Sequence, residues 1–113
     1  MAVTIADGGL IATGRVALDG TAANCTQITV NARYQRVTLT FKQSDGTTAD
    51  AGKVASAGTD GAAIGNDHFP VPADNALAVS LGGRASSQRA VAVDVFVAAD
   101  TNSAFCHYLC ESS

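Results

Sequence analysis

The run Val91-Ala92-Val93-Asp94-Val95-Phe96-Val97-Ala98-Ala99 decides the fold class. Its valines fall on every second residue, and β-branched side chains at period two suit a pleated strand with one buried face. No helical spacing competes with that alternation, and valine is a poor helix former. The run therefore predicts the central strand of a sandwich, with Val91, Val93, Val95 and Val97 inward and Asp94 outward. Phe96 shares the outward face with Asp94. An apolar ring in that position requires cover, from a second layer, a loop or another subunit.

Other stretches alternate in the same way. Leu77, Val79 and Leu81 are in register within Ala76–Leu81, which ends at Gly82-Gly83 and a polar loop from Arg84 to Arg89. Val37, Leu39 and Phe41 alternate with Thr38, Thr40 and Lys42, a pattern of core face and wet face. Ile28 and Val30 mark a strand over Cys25–Val30, Gly14–Gly20 reads as a short strand closed by an Asp-Gly turn, and Phe105–Cys110 is the last strand. Ser44-Asp45-Gly46-Thr47 is a turn with a mechanism, since glycine supplies positive φ beside a carboxylate that bonds nearby backbone.

Between these strands lie less regular segments. Tyr34 sits in a loop from Asn31 to Arg36. From Thr47 to Asn66 small residues dominate, which predicts a long surface excursion with one weak edge strand near Lys53-Val54-Ala55. Pro70 and Pro72 keep Phe69–Pro72 extended and block central ladder pairing, as at a sheet edge or in a connecting segment. No stretch reads as a helix. The expectation is an all-β fold, an antiparallel β-sandwich of about six to seven strands. It forms a single domain over residues 10–113, and residues 1–9, beyond the flexible Gly8-Gly9 pair, form an N-terminal arm ordered against a partner.

Composition narrows the function classes. Charged residues are 15% and apolar residues 47%, so the usual charged exterior is sparse, as in a protein that covers part of its surface with a partner. The net charge is -3, and the basic residues Arg15, Arg33, Arg36, Lys42, Lys53, Arg84 and Arg89 are scattered. With no basic stripe to neutralise phosphates, nucleic acid is not an expected partner. Residues 1–12 carry no basic start, and Asp7-Gly8-Gly9 interrupts any apolar run, so neither a signal peptide nor a membrane span is expected. Synthesis in a cytosol follows, where Cys25, Cys106 and Cys110 are expected as free buried thiols. A disulfide from Cys25 to Cys106 or Cys110 is the alternative.

The densest reactive cluster is Cys106-His107-x-x-Cys110, which Cys25 or His68 could extend to four zinc ligands. On a strand, however, Cys106 and Cys110 lie about 13 Å apart, with His107 on the other face. The same alternation separates Cys106 from His107 as a thiolate and base pair. Asp45, Asp50, Asp60, Asp67 and Asp74 sit in turns, where Asp bonds local backbone, and no spaced calcium-loop motif joins them. Glycine-rich phosphate cradles are absent as well. These residues predict no cofactor, no metal and no enzymatic activity. The candidate interface residues are Phe96, Asp94, Phe69 and Tyr34.

From Gly65 the chain runs Gly65-Asn66-Asp67-His68-Phe69-Pro70-Val71-Pro72-Ala73-Asp74-Asn75, then strand Ala76–Leu81, a polar loop and the valine strand. This order resembles small β-sandwich virion proteins of tailed bacteriophages, in which an aromatic-Pro-x-Pro segment precedes a short strand, a turn and an alternating valine strand. The resemblance covers about residues 60–100. It implies a capsid decoration, or cement, protein located in the virion and made in the host cytoplasm. Its implied partners are the major capsid protein and other copies of itself, often as trimers on the outer shell. Two readings compete: a glycan- or host-surface-binding module, which requires exposed aromatic platforms from Tyr34, Phe69 or Tyr108, and a tail or connector subunit.

Overall fold

The computed structural model describes residues 2–81 and 92–112; Val91, Gly82-Gly83 and the expected Arg84–Arg89 loop lie outside the described residues. Among the described residues the chain is all-β. Its ten strands are β1 (Val3–Ile5), β2 (Ile11–Ala17), β3 (Thr26–Val30), β4 (Arg36–Lys42), β5 (Ala49–Asp50), β6 (Gly52–Ala55), β7 (Phe69–Val71), β8 (Leu77–Ser80), β9 (Val93–Ala99) and β10 (Phe105–Glu111). One sheet has the order β1-β3-β9-β6-β7. The other has the order β2-β10-β4-β5, with β8 also paired to β4. No helix is long and apolar enough to cross a membrane.

The valine strand takes the predicted place. β9 is the middle strand of its sheet, antiparallel to β3 through Ile28↔Val95 and to β6 through Val54↔Val97. Val95 and Val97 point into the core with Ile28 and Val30, and they meet Val37, Leu39, Phe41 and Cys106 from the facing sheet. The alternation of β4 is as regular as its sequence, with Val37, Leu39 and Phe41 fully buried and Thr38, Thr40 and Lys42 half-buried on the outer side.

Three features depart from the expected pattern. The first is the N-terminus. Residues 3–5 form a parallel pair with β3, Val3↔Ile28 to Ile5↔Val30, and Ile5 is buried in the core. The segment after them is held by its own chain: the Tyr34 hydroxyl accepts from the Gly8 N–H at 2.8 Å and donates to the Gly9 carbonyl at 3.1 Å. Arg33 pairs with Asp7 at 3.3 Å beside this latch. The expected arm is thus built into the sandwich over Val3–Ile5, and the sheet that receives it is mixed rather than purely antiparallel.

The second departure is β6. Its position between β9 and β7 makes it an interior strand, not the edge strand that its small residues suggested. Gly52 explains the placement, because a Cβ there would overlap the ring of Phe41 from the opposite sheet. A strand of small residues permits close approach of the two layers. The third departure is the tally of strands, since the short β1, β5 and β7 join the seven that alternation marked. The proline-bearing β7 does lie at a sheet edge, with Pro70 opposite Lys53 and β6 its partner among the described residues.

The chain changes sheets at Ala51, between β5 and β6. Asp50 is buried at this corner, where its carboxylate accepts from the Ala51 N–H at 2.9 Å and the Thr101 hydroxyl at 2.7 Å. Burial of a carboxylate is tolerable only with such partners.

Candidate functional site

The four candidate interface residues separate into two pairs. Tyr34 is 1% exposed and belongs to the main core, so it presents no platform at the surface. Phe96 is 8% exposed, and its cover comes from the same chain. Cys25, Ala55 and the half-buried Ile64 pack with it as a second, smaller cluster on the outer side of the β9 sheet. Gly58 completes the lid, where a Cβ would stand 3.3 Å from the Cys25 Sγ and 3.4 Å from the Phe96 ring. Of the covers that the sequence left open for Phe96, the loop is the one realised.

That loop is the predicted excursion, and it is pinned along its length. The Cys25 N–H donates to the Ala62 carbonyl at 2.7 Å, Ile64 N–H to Ala23 at 2.8 Å, and Gly61 N–H to Cys25 at 2.8 Å. The Asp60 carboxylate accepts from the Gln27 N–H at 2.9 Å. This bond is the main cause that holds the Asp60 carboxyl below its ordinary pKa.

Phe69 and Asp94 remain at the surface. Phe69 is 60% exposed on β7, and Asp94 is exposed on β9 with Thr29 Oγ1 donating to it at 2.7 Å. The structure brings these two residues to one place, a groove of about 490 Å³. Val54, Leu77, Val79, Leu81, Val93 and Val95 line it along with Phe69, and Asp94 is the one charged residue of its lining among the described residues. The geometry follows from unequal strand lengths. β6 pairs with β9 only from Phe96 to Ala99, so the first residues of β9 have no strand on that side among the described residues. β8, at the edge of the facing sheet, likewise pairs with β4 alone among the described residues. Among the described residues the sandwich is open along this seam, where apolar side chains of both layers meet.

A second apolar feature escaped the sequence reading. Leu10 is 73% and Ile11 59% exposed at the start of β2. β2 is itself a sheet edge, paired with β10 alone among the described residues. Its signal in the sequence was the apolar pair directly after Gly8-Gly9, followed by a strand that alternates too weakly to bury a face.

The reactive side chains are arranged for packing. Cys106 and Cys110 point into the main core, while Cys25 sits in the separate cluster around Phe96, so the alternative disulfide is not formed and all three thiols are free. Burial raises each of their pKa values, that of Cys110 to about 11. A protonated buried thiol is a poor nucleophile and a poor metal ligand. His107 lies on the opposite face of β10 from these two cysteines, opposite Arg15 and Thr40. His68 is half-buried, with Nδ1 2.7 Å from the Gly65 carbonyl. Asp45 caps its own turn, accepting from the Thr47 and Thr48 N–H groups at 2.9 and 2.8 Å. Hydrogen bonds from Thr48 and Thr47 draw its pKa down to about 2. Among the described residues no three His, Cys, Asp or Glu side chains come together as a metal site.

No protein-family model and no curated protein matches the chain in sequence. Among solved structures it is similar to the Tobacco streak virus coat protein, at 7% identity over 96% of this chain and 90% of that one, with a TM-score of 0.35. The coat protein dimer of the same virus gives 9% identity, 96% and 91% coverage and a TM-score of 0.33. A subunit of the disulfide-linked pili that form Bacillus endospore appendages gives 19% identity, 95% and 93% coverage and a TM-score of 0.35. Scores at this level carry no argument about function.

Proposed function

We propose that the chain is a non-enzymatic virion structural protein, a capsid decoration protein that binds the outer surface of a tailed-phage shell in many copies and stabilises it. One observation carries the reading: a small, sparsely charged sandwich with an apolar groove among its described residues and Phe69 60% exposed at the groove's rim. Exposed apolar surface of this kind marks association with other macromolecules. The resemblance of residues 60–100 to phage virion sandwiches supplies the class of assembly. Asp45, Asp50 and Asp60 engage turn and corner backbone, and the thiols are protonated inside the cores, which favours binding over catalysis. The glycan-binding reading loses weight with Tyr34 buried, since stacking on sugars requires exposed rings.

Quantitative mass spectrometry of purified infectious particles from the source tests this proposal. A decoration protein is present at a copy number comparable to that of the major capsid protein. Absence, or a handful of copies confined to the tail, overturns the decoration role, and the second result selects the tail or connector alternative.

A further inference from the structure

We infer that two copies of this chain form a dimer by exchanging β1, so that Val3–Ile5 of each copy lies beside β3 of the other. The inference goes beyond the decoration role and does not depend on it. Both halves of the contact are present in the chain. β1 pairs parallel with β3 through Val3↔Ile28, Thr4↔Thr29 and Ile5↔Val30, and the Asn31 N–H donates to the Ile5 carbonyl at 3.1 Å. Ile5 is buried in the main core and Val3 packs against it. An exchanged copy fills the same slot with the same residues, so these contacts contribute equally within a chain and between chains.

The connection to β2 is built as a single-residue hinge. On the arm side, the Tyr34 hydroxyl holds the Gly8 N–H and the Gly9 carbonyl. On the strand side, the Leu10 carbonyl accepts from the Ser112 N–H at 3.1 Å, which fixes the start of β2 beside the end of β10. Gly9 stands between, with φ at +106° and open space where a Cβ would be. That turn folds the arm back onto its own chain, in a conformation that glycine adopts freely and other residues do not. An extended φ at Gly9 straightens the connection and carries the arm away from its own β3.

What the closed monomer leaves unused lies at this hinge. Residues 6–11 are exposed without a break. Leu10 and Ile11, at 73% and 59%, are two of the three large apolar side chains exposed among the described residues. A reciprocal exchange brings the two hinge segments side by side, because each crosses from its own β2 to the β3 of the other copy. Leu10 and Ile11 of the two copies then bury each other, a contact that the dimer has and the monomer lacks. The interface is isologous and closes at two copies.

A chain carrying both Thr4→Cys and Thr29→Cys decides the matter. The two positions are partners in the β1–β3 ladder, whereas the three native thiols are buried. After oxidation, a non-reducing denaturing gel with peptide mapping tells whether the disulfide between positions 4 and 29 lies within a chain or between chains. The expected result is a covalent dimer joined by two such links, matched by a dimer in sedimentation velocity. In the otherwise unmodified chain, Gly9→Val disfavours the positive φ of the closed form and is expected to tighten the dimer about tenfold. Leu10→Asp with Ile11→Asp is expected to weaken it. A disulfide found only within single chains overturns the exchange, whether the protein in solution is a monomer or a dimer. So does a dimer that Gly9→Val fails to tighten or that the double aspartate variant fails to weaken. The particle copy number is measured separately, so failure of the decoration role and failure of the exchange are distinguishable.

Discussion

Gly52 lies directly under the ring of Phe41, one residue from each sheet, so that the ring of one layer packs on the bare backbone of the other. The Phe41 ring is fully buried and takes the space that any Cβ at position 52 would need. Gly52→Ala is therefore expected to destabilise the fold by about 1–3 kcal/mol, the usual cost of overpacking a filled core. Chemical denaturation of the variant beside the unmodified protein measures it, and an unchanged midpoint would show that the layers yield at this point.

Phe96 supports the loop that covers it. Phe96→Ala removes the largest side chain of the small cluster with Cys25, Ala55 and Ile64. A loss of about 3–5 kcal/mol is expected from a buried phenylalanine truncation. Hydrogen exchange locates the effect: the Cys25 and Ile64 amides, bonded to Ala62 and Ala23, should lose protection before the amides of β4 and β10 do.

Tyr34→Phe separates the N-terminal latch from the core beneath it. The ring stays, while the bonds to Gly8 and Gly9 go. Loss of a part-buried hydroxyl pair predicts about 1–2 kcal/mol of destabilisation. Exchange at the Gly8 amide should rise sharply, with little change at Ile28.

The thiols give a pH dependence with a definite sign. Burial raises the folded-state pKa of Cys110 to about 11 and moves Cys106 in the same direction from the ordinary value near 9. The folded state thus holds its thiol protons where the unfolded state releases them. Stability from this source is complete below about pH 9 and falls as pH rises towards 11. The melting temperature should drop over that window, and a Cys106→Ala, Cys110→Ala double variant should show a shallower drop. At pH 8 a thiol reagent should modify none of the three cysteines until the protein is unfolded.

The sequence carried the sheet interior well because period two is a local signal. Val95, Val97, Val37, Leu39 and Phe41 took the faces that alternation assigned them. It carried the need for cover over Phe96 but not the source, since Gly58 and Ile64 meet that ring from far along the chain with no periodic mark. Tyr34 misled for a related reason. A tyrosine in a polar loop reads as surface, and its burial depends on Gly8 and Gly9 arriving from 26 and 25 residues upstream. Parallel pairing of Val3–Ile5 to β3 has no turn to announce it. In the candidate site, Phe69 and Asp94 were legible as outward residues, whereas the groove that joins them follows from where β6 stops pairing with β9.

Native mass spectrometry of the recombinant protein, without reductant and over a concentration series, tests the central claim most directly, because one spectrum reports oligomer, bound metal and thiol state together. The account predicts a metal-free homo-oligomer, each chain carrying three free thiols. A monomer at every concentration, bearing a stoichiometric zinc or calcium ion, would contradict it and favour the glycan- or host-surface-binding module instead.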